Sequence, residues 1–320
     1  MKWDGQGVIL AAGVGERVRT YELPKLRPML PVGNKPIIQH QMESMKRLGI
    51  TDIIIVVGYQ KEQIIDYFGD GKEIGVKIKY VEQEKLLGIA HAVGQLEPHI
   101  KKPFILFLGD VFSYPKNWES VVDSFEKQNA TAVLVVKRDS NPKFKGLHFA
   151  VLLHDSGLVR RVIEKPRYTV SPLKGCGIYV FDISIFDAIR RSPRTAMRDE
   201  YEITDSIQIL IDDGYPIYAS DVIEWYVNVT NPYDLLLCNL KYLAQSKVHN
   251  LLGKETKICY GTTIESSVIG DSVIIEEAIN IKETVIFDNV KLSDRHDRKR
   301  VIITQEREIL CNIDESRLNE

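Results

Sequence analysis

The chain has 320 residues, with 42 Lys and Arg against 44 Asp and Glu, a formal net charge of −2. That near-balance excludes the basic footprint of a nucleic-acid or anionic-membrane binder, and no apolar run reaches the ~20 residues a membrane span needs. The length exceeds what one core usually supports, so a large domain with a smaller appendage is expected.

Met1-Lys2-Trp3-Asp4 leads straight into the first apolar run, so no secretory leader is expected. Cys176, Cys238, Cys259 and Cys311 are scattered without a CxxC pair, which predicts reduced thiols in a cytoplasmic protein. Val8-Ile9-Leu10-Ala11-Ala12 reads as a strand buried on both faces, and it stops at Gly13-Val14-Gly15-Glu16-Arg17. There the backbone can turn tightly, its successive N–H groups can form an anion cradle, and Arg17 adds a planar cation suited to phosphate. No Walker string Gly-x-x-x-x-Gly-Lys-Ser/Thr follows this strand. The dinucleotide fingerprint fails where Val18 replaces its third glycine, and the strand Asp52–Val57 ends in Gly58 instead of an acidic residue.

Further strand-like runs lie near residues 53–57, 77–81, 104–108 and 132–136, alternating with helical patterns near 36–48, 60–67, 89–95 and 116–128. That alternation predicts an α/β fold, a Rossmann-like doubly wound and mostly parallel sheet, with ligands beyond the carboxyl ends of its strands. Shorter strands (149–153, 159–163, 177–181, 225–229) and the helices Asp182–Arg190 and Glu202–Asp213 follow. Pro232 opens a helix over 232–245, and Ser246–Thr256 reads as a polar linker. Beyond it Ile258, Ile264, Val268, Val273, Ile274, Ile279, Val285 and Val290 recur every five or six residues. This spacing resembles the hexapeptide repeat of left-handed parallel β-helices, with about two coils over 257–292. So short a solenoid needs covering at both ends, by the catalytic domain or by a neighbouring subunit of a homo-oligomer. Asp294–Arg300 reads as a solvated turn, and Val301–Thr304 as one more strand.

Leu10-Ala11-Ala12-Gly13-x-Gly15-x-Arg17, followed by Pro28-Met29-Leu30-Pro31-Val32-Gly33-Asn34-Lys35-Pro36-Ile37, resembles the signature of the sugar-1-phosphate nucleotidylyltransferases. The resemblance implies a catalytic domain over 1–245, a short hexapeptide β-helix over 254–310, and a loop wrapping the triphosphate of an NTP. Arg17 and a nearby lysine would meet the phosphates. Counting back from Lys35-Pro36 puts that cation at Arg27, whereas Leu23-Pro24-Lys25 puts it at Lys25.

Other family motifs fall in order along the chain. Gln83 and Gly88 match the pair that holds the nucleobase, and Gly88-Ile89-Ala90-His91-Ala92 looks most like the long glucose-1-phosphate thymidylyltransferases. Asp110, ending Leu108-Gly109-Asp110, matches the carboxylate that binds Mg²⁺. Its partner position holds Asn228, in Trp225-Tyr226-Val227-Asn228-Val229-Thr230. The thymidylyltransferase pattern there is Trp-x-Asp-x-Gly-Thr, and a Val-Asn pair is instead the form of the N-acetylglucosamine-1-phosphate uridylyltransferases. Gly146, Glu164-Lys165-Pro166, Gly177 and Arg198 match sugar-phosphate positions, with Asp199 standing where the family's Arg-Gly-Glu has glycine.

The implied reaction is Mg²⁺-dependent formation of an NDP-sugar and pyrophosphate from dTTP or UTP and a hexose 1-phosphate, glucose 1-phosphate first. A non-catalytic NDP-sugar-binding homologue is the rival that the altered metal motif favours. An acyltransferase β-helix would need a histidine in its coils, and 257–292 contains none.

Overall fold

The computed structural model describes residues 3–13, 23–138, 149–168, 170–196 and 199–312. These form two compact units, the first from residues 1–13 and 41–226, the second from 14–40 and 227–320.

The first unit is built on a nine-stranded sheet. Its main path runs Val159–Ile163, Ala150–Leu153, Leu173–Phe181, Phe104–Leu108, Gln6–Leu10, Asp52–Val57, Lys77–Glu82. The last four strands pair in parallel, as continuous Val/Ile/Leu/Phe runs should. Leu173–Phe181 turns the sheet antiparallel by pairing Phe104–Leu108, and it also carries Ala132–Arg138, on which Ile217–Ser220 adds in parallel. Val8, Ile54, Leu106 and Tyr179 share one core with Val93, Ile185, Ile203 and Ile207 from the helices Ile89–Gly94, Ile185–Arg191 and Ile203–Asp212. Phe104 lies 5.8 Å from Phe181 and 5.9 Å from Phe186, ring centre to ring centre. Two strands unforeseen in the sequence are Val111–Pro115 and Ile217–Ser220. Val111–Pro115 pairs Ile223–Asn228, and Trp225 stacks on Phe112 and Tyr114.

The second unit centres on the helix Pro232–Ser246 and a left-handed parallel β-helix. Asn231 caps the helix by accepting from Asp234 N–H at 3.0 Å, and Pro232 takes the first turn, where no N–H is needed. Leu251, Val268, Val285 and Ile302 stack in register, so the solenoid has three coils with a 17-residue rise. The sequence suggested about two. The first coil begins at Leu251–Leu252, inside the segment read as a linker. The third runs through the segment read as a solvated turn, because the Arg298 side chain is buried and paired with Asp294 and Glu308. Val301–Ile303 is a strand as expected, and Glu308–Leu310 folds back on it antiparallel, covering the last coil. His296 thus falls in the third coil, beyond 257–292, where its ring meets Asp294 at 3.1 Å.

Candidate active site

The carboxyl ends of the parallel strands bring most first-unit candidates to one edge of the sheet. Leu10 and Ala11 are held from both sides: Gly109 N–H donates to Leu10 O at 2.9 Å and Ala11 N–H to Val56 O at 2.8 Å. Ala12 is buried against Gly58, where an added Cβ would come within 2.8 Å of Ala12 O. Gly13, by contrast, faces open space among the described residues, so its missing side chain leaves the strand end approachable. Gly15 and Arg17 lie outside the described residues, as do Gly146 and Arg198.

Asp110 follows Gly109 in the turn between Phe104–Leu108 and Val111–Pro115. A residue that sequence reasoning missed fixes that turn. Gln41, on the helix Ile37–Arg47, is 3 % exposed, and its Nε2 donates to Leu108 O and Val111 O, each at 2.8 Å. The sequence signal was a glutamine set in the apolar stripe Ile37, Ile38, Met42, Met45. Gly177 stands across from the same turn. Its φ is +71° and a Cβ would meet Leu108 Cδ1 at 2.9 Å, where the ladder to Ala132–Arg138 shifts register.

Gln83 N–H donates to Val57 O at 2.8 Å, placing its buried side chain beside the next loop. Its Nε2 lies 3.4 Å from Gly88 O and 3.1 Å from His91 Nδ1. Gly88 has φ +103°, and a Cβ would lie 2.5 Å from Tyr201 O, so only glycine fits. Tyr201 N–H donates to Leu87 O at 2.7 Å and Ala90 N–H to Tyr201 O at 3.0 Å, and the His91 ring stacks on that of Tyr201 at 6.4 Å. Burial, then the nearby Lys85 ammonium, lowers the His91 pKa, which favours the neutral ring.

Glu164 accepts from Thr204 Oγ1 at 3.2 Å, and Lys165 Nζ lies 3.7 Å from its other oxygen. Burial, then the Glu164 charge, raises the carboxyl pKa of Asp205, and the same two causes in that order raise the buried Tyr179 phenol. Asp199 takes φ +59°, a left-handed conformation that glycine adopts without strain, and it pairs with Arg194 at 2.8 Å.

Lys25, Arg27 and Asn228 belong to the second unit. Lys25 Nζ is 3.2 Å from Asp288 Oδ2 and 5.7 Å over the Phe287 ring, so the solenoid engages it. Arg27 opens a short 3₁₀ turn, Arg27–Met29, closed by Leu30 N–H donating to Arg27 O at 3.1 Å. Gly33 and Asn34, both at positive φ, turn the chain between Pro31–Val32 and Lys35–Pro36. The fully buried Asn239 ties this turn down, accepting from Gly33 N–H at 2.9 Å and donating to Pro31 O at 3.0 Å. Asn34 Nδ2 donates to Ile269 O of the solenoid at 2.7 Å. Asn228 Oδ1 is buried and finds no hydrogen-bond partner among the described residues, an oxygen left for a cation or a donor. Among those residues no cluster of three or more His, Cys, Asp or Glu could hold a metal by itself. A carboxylate and an amide oxygen suit Mg²⁺, which takes one or two protein ligands and completes its shell with substrate phosphates and water.

The first unit is thus an α/β sheet with its candidate residues gathered at one edge, and the sequence comparisons give its family. The profile of the family described as Nucleotidyl transferase matches residues 6–245, and that of a GlmU-like C-terminal hexapeptide domain matches 243–314. The chain belongs to the nucleotidyl transferase family. It is 35% identical over 236 residues to the low-salt glycan biosynthesis nucleotidyltransferase Agl11 of Haloferax volcanii, covering 73% of this chain but only 65% of that protein. It is also 35% identical over 229 residues to UTP--glucose-1-phosphate uridylyltransferase AglF of the same organism, covering 72% of this chain and 93% of the relative. A putative glucose-1-phosphate thymidylyltransferase from Bacillus anthracis, solved with sucrose, superposes with a TM-score of 0.65 at 27% identity, over 73% of this chain and 93% of that one. No helix among the described residues is long and apolar enough to cross a membrane.

Proposed function

We propose that the chain transfers a nucleotidyl group from dTTP or UTP to a hexose 1-phosphate, first of all glucose 1-phosphate, releasing pyrophosphate. The observation that carries this reading is the edge where Leu10–Gly13, Gln83 and the Gly109–Asp110 turn converge at the ends of adjacent parallel strands. A sugar-phosphate oxygen must approach an α-phosphate that is already anionic, so positioning and charge stabilisation are the protein's work.

The backbone of Leu10–Gly13 with Gly15 and Arg17 would cradle the triphosphate, and Gly88 with Gln83 would hold a pyrimidine. Lys25 or Arg27 would supply the second phosphate cation; Lys25 Nζ meets Asp288 at 3.2 Å, a half-exposed pair that a phosphate would have to displace. Gly146, Glu164, Lys165, Gly177 and Arg198 would meet the sugar phosphate. Asp110 and Asn228 would be the protein's oxygen donors to Mg²⁺, Asp110 supplying formal charge and Asn228 a neutral oxygen. When bound, Mg²⁺ would neutralise charge on the phosphates.

UTP with N-acetylglucosamine 1-phosphate is the alternative pair. The Val227-Asn228 sequence and the GlmU-like solenoid favour it. Pyrophosphate release measured over a panel of NTPs and sugar 1-phosphates tests the proposal. Turnover with dTTP or UTP and a hexose 1-phosphate is expected. Turnover with ATP or GTP alone would overturn the assignment of the base.

A further inference from the structure

We propose that His91 sets which hydrogen-bonding face of the Gln83 amide meets the nucleobase, and so selects uracil or thymine over cytosine. The inference rests on the reading above, in which Gln83 touches the base.

Gln83 is 6 % exposed, and two groups of its own unit meet the end of its side chain: Gly88 O at 3.4 Å and His91 Nδ1 at 3.1 Å. A backbone carbonyl can only accept, so the amide group facing Gly88 O is the NH₂. The same NH₂ faces His91, whose Nδ1 must then carry a lone pair, with the ring proton on Nε2. Stacking on Tyr201, at an interplanar angle of 25°, holds the ring in place. Partial burial and the neighbouring Lys85 charge both favour the neutral ring that this arrangement requires.

Both amide protons are therefore directed at the protein, and Oε1 is the part of the amide with capacity to spare. An acceptor fixed in that position complements a ring N–H. Uracil and thymine present one at N3, whereas N3 of cytosine carries a lone pair and would oppose Oε1. A base lacking the expected N–H leaves a buried acceptor unpaired, the situation in which a hydrogen-bonding site discriminates most strongly. Without an acceptor at His91 only the long 3.4 Å contact with Gly88 O holds the amide, so the flipped form, which offers its NH₂ to either pyrimidine, costs less and gains population. His91 is thus a positioning residue, acting on the base through Gln83.

The test compares UTP with CTP as substrates for the full chain, reading kcat and KM separately. In His91→Phe the ratio of kcat/KM for UTP over CTP should fall about tenfold, roughly one neutral hydrogen bond, mainly through the KM for UTP. His91→Ala serves the same purpose if the bulkier ring prevents folding. His91→Asn restores an acceptor near Nδ1 and should recover most of the ratio, which a loss of packing alone would not. Gln83→Ala should abolish the discrimination. If Gln83→Ala collapses the ratio while His91→Phe or His91→Ala leaves it intact, the role of His91 is refuted and the base-reading assignment survives. If His91→Asn falls as far as His91→Phe, His91 serves packing and the proposal fails. If Gln83→Ala leaves the ratio unchanged, Gln83 does not read the base, and both ideas fall.

Discussion

Lys25→Met is expected to cost stability, and its effect on catalysis beside that of Arg27→Met shows which of the two cations meets the phosphates. The Lys25 ammonium lies 3.2 Å from Asp288, with the two side chains 37 % and 45 % exposed, and 5.7 Å over the Phe287 ring. A half-exposed ion pair is worth roughly 0.2–1 kcal/mol and an exposed cation–π contact roughly 0.5–1 kcal/mol, so the lysine contributes about 1–2 kcal/mol in all. Asp288 keeps its other anchor when Lys25 goes, because its Oδ1 accepts from Asp271 N–H at 3.0 Å. The loss is therefore local, and a drop in Tm of a few degrees is expected, about 2–4 °C per kcal/mol in a large domain. Raising the salt concentration should shrink that difference. Loss of whichever cation meets the phosphates would remove a charge-assisted contact of roughly 1.5–3 kcal/mol, or about 10- to 150-fold in kcat/KM. The assays are thermal unfolding at two salt concentrations and steady-state pyrophosphate release. An unchanged Tm in Lys25→Met would refute the reasoning, and activity lowered more than about tenfold in one of the two variants would identify its residue as the phosphate cation.

Gln41→Leu removes the donor to Leu108 O and Val111 O; it should destabilise the chain by about 1–3 kcal/mol and lower kcat by loosening the Asp110 turn, and chemical unfolding with turnover at saturating Mg²⁺ checks both. Asp199→Gly relieves a left-handed residue at about 1 kcal/mol but loses an exposed pair with Arg194 of similar worth, so unfolding free energy should stay level or rise slightly; a clear loss would contradict this. The Asp294 carboxyl is held down at about 2, first by the Arg298 guanidinium and then by His296 N–H, against an ordinary 3.8. The unfolded chain therefore binds the extra proton between those values. The stabilisation is complete above 3.8 and is lost as pH falls to about 2, so the Tm gap between the parent and Asp294→Asn should close across that window. A gap that stayed constant would exclude the pair as its source.

The sheet was legible because its central strands are unbroken apolar runs that nothing else in a chain of this composition could bury. Gly88 was legible as a motif, and its reason emerged only in three dimensions, where Tyr201 backbone closes the space a side chain would need. Asp199 was visible as a departure from the family pattern, yet what the departure costs depends on a dihedral angle that no spacing reveals. Gln41 escaped notice because a polar residue within an apolar helical stripe carries no sign of which carbonyls it will reach. The solenoid was under-counted at both ends for one reason. Hydropathy periodicity marks a coil by its apolar corners, whereas the first coil has Leu252 and Tyr260 exposed and the third hides Arg298 in a carboxylate pair. The Lys25–Asp288 pair joins residues 263 positions apart, beyond any local pattern.

Transfer of a nucleotidyl group with pyrophosphate as leaving group can be run backwards, as an exchange of pyrophosphate into an NTP. The chain is incubated with Mg²⁺, unlabelled dTDP-glucose or UDP-glucose, and labelled pyrophosphate, and the nucleotides are separated. Label is expected in dTTP or UTP with equimolar release of glucose 1-phosphate, and both are expected to be lost in Asp110→Asn. Tight binding of the NDP-sugars without any label entering an NTP would contradict it and leave a binding protein in place of an enzyme.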